Sequence, residues 1–231
     1  MSTPKDTTTT PAPGWSARGR LVGAAAIAFA VLVLTENVLF AATGAPAYNS
    51  PIKDVLAYYA ANRDAVAIVS GLVALYLPVL LVFVTGLHGL VGRRGGAGAD
   101  WSRLALVAGA ALSAGFVLVN VLQIGLVLSA DGLAEPSPAF GLVWQMHAAA
   151  FALVLPMLGA TCLGSVLAAH ASGLTPAWQR VLGMVGGGLL LAAGLGNLAI
   201  ADGSPLIFVG LLGFVAWLVW LVTTGVRLLR S

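Results

Sequence analysis

Six long apolar stretches, separated by short polar segments, dominate the pattern of residues along the chain. They cover about residues 20–43, 64–91, 103–129, 140–169, 180–201 and 204–228. A helix needs about 20 mostly apolar residues to cross a bilayer, and each stretch is long enough. The stretches lack the period-two alternation that is typical of a β-barrel. The pattern therefore predicts an all-α fold, a six-helix transmembrane bundle forming a single membrane domain over residues 15–231.

The composition agrees with this prediction, since 59% of the 231 residues are hydrophobic and only 8% are charged. Residues 1–14 are rich in Thr and Pro, and we expect them to form a disordered cytoplasmic tail. An alternative for the first stretch is a signal peptide with Leu21–Leu34 as its apolar region. Apolar sequence resumes after Glu36 and Asn37, however, and makes the stretch long enough to span.

The distribution of basic residues predicts how the chain is oriented. By the positive-inside rule, both termini and two of the loops should be cytoplasmic, with the protein in the cell membrane. Only Lys53 and Arg63 of the 11 basic residues lie in the opposite loops. The basic residues on the predicted cytoplasmic side include Lys5, Arg18, Arg20, Arg93, Arg94, Arg103, Arg180, Arg227 and Arg230. We read the pI near 9.4 as a topology signal, and no aromatic and basic patch indicates nucleic-acid binding.

The segment that follows the first stretch mixes apolar and charged residues. Between residues 51 and 62, the apolar and aromatic residues Ile52, Tyr58 and Tyr59 occur together with the charged Lys53 and Asp54. This mixture, with tyrosines suited to the headgroup region, predicts a short outer interfacial helix. The alternative is that the segment simply extends the second transmembrane helix.

Glycines are concentrated in the fifth stretch. Gly183 and Gly187 have the GxxxG spacing that allows two transmembrane helices to approach closely. We therefore expect this helix to pack tightly against its neighbours.

An internal repeat relates the stretches to one another. Three of them contain an arginine followed seventeen positions later by an asparagine: Arg20 and Asn37, Arg103 and Asn120, Arg180 and Asn197. The second and fourth stretches share Ala-Leu-x-Leu-Pro, ending at Pro78 and Pro156. We interpret this as a parallel repeat of a helical hairpin. The alternative is a chance similarity, because the stretches are built from few residue types. The sixth stretch also lacks the proline motif.

The repeat predicts a set of polar side chains at one depth. Seventeen residues at about 1.5 Å each place an asparagine about 25 Å from its arginine, in the outer third of the bilayer. Polar groups at this depth are expensive unless they face each other or water. We therefore predict a polar cluster or binding site made of Glu36, Asn37, Asn120, Gln123, Gln145, His147 and Asn197. Because Gln145 and His147 are two residues apart on a helix, at most one of them should face the bundle centre.

Each of these residues also has a structural interpretation. The asparagines could serve only as hydrogen-bonding contacts between helices. Glu36 lies near the outer end of its helix, where it could be solvated or paired with Arg63. His147 could be a packed histidine. His88 and His170 close their stretches on the cytoplasmic side, where they would cap helix C-termini.

No sequence motif indicates an enzyme, a cofactor or a metal. The chain contains no H-E-x-x-H, G-x-S-x-G or CxxC sequence and no P-loop. Its single cysteine, Cys162, lies within an apolar stretch and cannot form a disulfide within one chain. We therefore expect no cofactor, and an enzyme ranks behind the other functional classes.

Three features of the chain occur together: the six spans, the outer segment DVLAYYAANRD at residues 54–64, and the Trp-x-Arg sequences that open two spans. With them the chain resembles the small six-span membrane proteins of unknown function that are common in actinobacterial genomes. The resemblance covers nearly the whole chain but implies no activity, cofactor or catalytic residue.

Two functional hypotheses follow. The first is a small-molecule carrier or channel whose site is the polar cluster. The second is a non-catalytic partner or regulatory component that binds another membrane protein, or a second copy of itself, through the glycine-rich fifth helix. A carrier should have a cavity that converges on Glu36 and the asparagines. A partner protein should have a closed bundle with an exposed surface of small residues.

Overall fold

A computed structural model of the protein describes residues 14–231, with side chains from residue 17 onward. Of the tail predicted at residues 1–14, residues 1–13 lie outside the described part, and Gly14 is the first residue of α1. The described helices are α1 (Gly14–Ala42), α2 (Ile52–Ala61), α3 (Arg63–Gly92), α4 (Ala97–Ala130), α5 (Pro138–Ala171), α6 (Ala177–Leu195), α7 (Asn197–Ala201) and α8 (Ile207–Arg230).

Six of these helices are long and apolar enough to cross a membrane: α1, α3, α4, α5, α6 and α8. The predicted six-helix transmembrane bundle is therefore confirmed, and the chain is a multi-pass integral membrane protein. Apolar side chains such as Val107, Leu142 and Val181 remain exposed on the outside of the bundle, as expected for a surface that faces lipid.

The six long helices form a closed ring. Each packs against the next in chain order, and α8 returns to pack against α1. Because consecutive spans alternate in direction, α1 begins and α8 ends at the same end of the ring, which we call the terminal end. The opposite end carries residues 43–62, 131–137 and 196–206, and we call it the α2 end.

Glycines bring neighbouring helices of the ring into close contact. A Cβ atom built on Gly23 of α1 would lie 2.6 Å from the carbonyl oxygen of Gly225 of α8. One built on Gly186 of α6 would lie 2.9 Å from the carbonyl oxygen of Gly213 of α8. Backbones this close leave no space for a side chain, so these positions hold α8 against both of its neighbours.

The two glycines at GxxxG spacing pack against α5. A Cβ atom on Gly187 would lie 2.5 Å from Cγ of Leu163, and one on Gly183 would meet the side chain of Val166. The adjacent Gly188 is exposed, and a Cβ there would have no heavy atom within 4 Å. The glycine-rich face of α6 therefore packs against other helices of the same chain.

The short helix α2 is separate from α3, because the backbone leaves helical geometry at Asn62. Its buried residues, among them Val55 and Tyr59, pack with Leu126, Phe140 and Trp144 of α4 and α5. The segment is thus a helix of its own that lies against the α2 end of the ring, and it does not extend the second span.

Candidate functional site

A cavity of about 390 Å³ lies within the ring at the α2 end. Five of the six long helices contribute to its walls, whereas α6 contributes no residue to the lining. Phe29, Leu80, Leu112 and Leu158, which come from the middle of their helices, form its deepest part. Beyond them, toward the terminal end, the interior is filled by buried side chains such as Phe83 and Trp220. The cavity is therefore one-ended.

The cavity brings together five of the seven polar residues singled out from the sequence. Glu36 and Asn37 of α1, Asn120 and Gln123 of α4, and His147 of α5 all line it. The Asn37 side-chain amide donates hydrogen bonds to the Glu36 carboxylate at 3.1 Å and to its own helix at 2.9 Å. Asn120 reaches the Ser70 carbonyl oxygen of α3 at 3.5 Å. Three separate helices therefore supply polar groups to one space.

Several of these groups have no hydrogen-bond partner within the protein. They are the amide nitrogen of Gln123, the side-chain oxygen of Asn120 and both ring nitrogens of His147. Gln123 is only 6% exposed and His147 only 4% exposed. A buried polar group without a partner destabilises a fold by about 1 to 3 kcal/mol. Because these residues line the cavity, their free donors and acceptors are available to water or a ligand held there.

Two residues of the predicted cluster lie elsewhere. Gln145 is exposed and does not line the cavity. Residues two apart on a helix point in nearly opposite directions, and on α5 it is His147 that lines the cavity. Asn197 also lies outside the lining. The predicted continuous helix to residue 201 is broken: α6 ends at Leu195, and Asn197 begins α7. The count of seventeen residues therefore does not set its depth.

Glu36 is not paired with Arg63, which was one alternative for it. Arg63 contacts Asp131 at 2.8 Å, and Lys53 contacts Glu135 at 2.9 Å, so both cations bind carboxylates of the loop between α4 and α5. No ion pair among the described side chains includes Glu36, which is partly buried.

An aromatic group that was not predicted from the sequence surrounds His147. The rings of Trp144 and His147 are stacked with an interplanar angle of 8° and centroids 5.6 Å apart. Tyr48 contacts Trp144, His147 and Phe151, with centroids 5.2, 5.8 and 5.9 Å away. Trp144 and His147 are three residues apart on a helix, a spacing that places both side chains on one face, so the sequence could have predicted their contact. Nothing local placed Tyr48 beside them.

Residues 46–48, which include Tyr48, cover the cavity at the α2 end. The following Asn49 packs against Gly203, where a Cβ atom would lie 2.5 Å from the Asn49 Cβ. Gly203 has φ +84°, a conformation that favours glycine. Burial, with a smaller contribution from Tyr59, raises the pKa of Tyr48 above its usual range, so its hydroxyl remains a protonated donor.

The cavity lining includes accessible residues of α1 and α8. These helices touch near the terminal end, at Gly23 and Gly225. At the α2 end, lining residues on both remain accessible: Asn37 is exposed, Phe208 is 62% exposed and Leu211 is 47% exposed.

The remaining histidines and the cysteine lie away from the cavity. His88 contacts the Ser102 hydroxyl at 2.8 Å, and His170 contacts the Thr175 carbonyl oxygen at 3.2 Å, both near the terminal end. Cys162 is buried between α5 and α6, where its thiol donates to the Gly183 carbonyl oxygen. Within residues 14–231, no three His, Cys, Asp or Glu residues are grouped to hold a metal ion.

Comparison of the chain with family models, with curated proteins and with solved structures gives no match.

Proposed function

We propose that the protein is a membrane carrier that binds a small amphipathic molecule in the cavity. The observation that supports this most directly is the combination of a cavity of about 390 Å³ with buried, unpartnered polar atoms of Gln123 and His147. Ligand pockets are typically lined by apolar residues with a few convergent polar groups, and this lining has that composition.

The shape of the cavity favours a carrier over a channel. The interior near the terminal end is closed by packed side chains, whereas the α2 end contains the cavity. The accessible lining residues of α1 and α8 suggest that a molecule could reach the site from the bilayer at this side. If the termini are cytoplasmic, as the basic residues predict, the site lies in the outer half of the membrane.

The alternative of a protein that binds another membrane protein through α6 has less support. It required an exposed surface of small residues on that helix. Gly183, Gly186 and Gly187 instead face α5 and α8 inside the bundle. On α6, the exposed Gly188 and Ala192 would remain for such a contact, which is a small surface.

The proposal can be tested with two benzophenone probes of the same shape, the cation para-benzoylbenzyl-trimethylammonium and the neutral para-neopentylbenzophenone. Binding is measured on the purified protein in phosphatidylcholine vesicles. We expect saturable binding of at least one probe. Val119 lines the cavity and is 6% exposed, so Val119→Phe should fill the space and weaken binding by roughly tenfold or more.

Val117→Phe is the matched control, because Val117 lies on the same helix and is 53% exposed on its outer side. It should leave binding unchanged, and thermal unfolding should show that both variants are folded. Absence of saturable binding by either probe, or equal effects of the two substitutions, would show that the cavity is not a ligand site.

A further inference from the structure

The charge of the cavity indicates which class of ligand it accepts. Among the described residues that line it, Glu36 is the one carboxylate, and no lysine or arginine is present. The titratable groups that share the lining with it are Tyr48, Tyr76 and His147. Tyr76 of α3 lines the same cavity as Glu36. None of these side chains supplies a permanent positive charge.

The basic residues at the α2 end do not neutralise Glu36 either. Lys53 and Arg63 are bound to Glu135 and Asp131. A carboxylate within a span is expensive unless a charge of opposite sign, a proton or water compensates it. The cavity therefore offers an unpaired acidic group next to a space large enough for a small molecule.

The walls of the cavity also suit a cation. Aromatic faces attract positive charge, by about 0.5 to 2 kcal/mol for each well-placed ring. Aromatic residues enter the lining from five of the long helices and from the segment that covers the α2 end. They are Phe29, Phe40, Tyr48, Tyr76, Phe116, Trp144, Phe151, Phe208 and Phe214.

We infer that the ligand is a lipophilic organic cation, an amine or quaternary ammonium group on an apolar body, and that Glu36 is its counter-ion. The apolar body lies among the aromatic and aliphatic walls. The unpartnered side-chain oxygen of Asn120 is an acceptor for an ammonium N–H where the ligand has one. An anion would meet the Glu36 carboxylate without a basic partner and is disfavoured. This inference rests on the proposed function, since it names the ligand class of the same cavity.

The two benzophenone probes test the inference, because they differ only by a positively charged nitrogen in place of a carbon atom. Binding is measured at pH 8, where free imidazole is uncharged. Zwitterionic vesicles avoid attraction of the cation to anionic lipid. We expect the cation to bind at least about tenfold more tightly than the neutral probe. Glu36→Gln should remove this preference and leave the affinity for the neutral probe within about twofold.

Glu135→Gln is the control for the loss of a carboxylate at the same end, because Glu135 is exposed and lies outside the cavity. It should keep the preference for the cation. Binding of the neutral probe shows in each variant that the cavity is intact. Equal affinity for both probes in the unmodified protein, or a preference that survives Glu36→Gln, would overturn the inference and leave the proposed function standing. If neither probe bound saturably, both would fail.

Discussion

Gln123 and His147 are buried in the cavity wall, yet the Gln123 amide nitrogen and both His147 ring nitrogens lack a partner in the protein. Side chains that only join helices would be expected to use their donors and acceptors on each other. The choice between a ligand site and hydrogen-bonding contacts between helices can therefore be made at single residues. A site residue should matter for binding and little for stability, and a structural residue should behave in the opposite way.

Gln123→Leu makes this choice measurable. Because replacing an unpartnered polar group by an apolar one of similar size removes a desolvation cost, we expect the midpoint of thermal unfolding to stay unchanged or rise. Binding of both benzophenone probes should weaken by about 0.5 to 1.5 kcal/mol, the usual contribution of one hydrogen bond, because the Gln123 amide nitrogen can donate to the carbonyl oxygen that the probes share.

Gln179→Leu provides the matched control. Gln179 is 2% exposed, its side-chain oxygen is also unpartnered, and it lies on α6 outside the cavity. It should affect stability similarly and leave binding unchanged. A strong loss of stability in Gln123→Leu with normal binding would mean that Gln123 is structural.

At the scale of one element, helix α6 shows which structural features the spacing of residues predicts and which it does not. Its glycines were predicted to pack closely, and the structure places Gly183 and Gly187 against α5. The depth assigned to Asn197 assumed one continuous helix, whereas the helix ends before Gly196. Glycine is tolerated inside many transmembrane helices, so the sequence alone could not distinguish a packing glycine from the one at which the helix stops.

We expect Gly187→Leu to destabilise the bundle by about 1 to 3 kcal/mol, because the new side chain would overlap Leu163 of α5. Gly188→Leu is the control, since that position is exposed and has open space around it. Chemical or thermal unfolding of both variants in the same detergent measures the difference. Equal stability of the two would mean that α6 does not pack on α5 through Gly187.

At the scale of the whole molecule, the six spans followed from hydropathy, and the spacing of Glu36, Asn37 and Asn120 selected residues that line one cavity. The closure of the ring between α1 and α8 could not be predicted in this way, because it depends on contacts between residues such as Gly23 and Gly225 that are far apart in the chain. The cover of the cavity by Tyr48 depends on such long-range contacts too. The orientation in the membrane stays a prediction from the basic residues.

Photolabelling tests most directly whether the cavity is the ligand site of this protein. The benzophenone cation is irradiated with the protein in vesicles, with and without an excess of the non-photoreactive benzyltrimethylammonium, and the adducts are mapped by mass spectrometry. We predict that the adducts removed by the competitor lie within residues 29–40, 46–48, 73–80, 112–123, 144–158 and 200–214, which contain the residues that line the cavity. Competed adducts on α6 or around the lipid-facing Val107, or no competed adducts, would contradict this assignment.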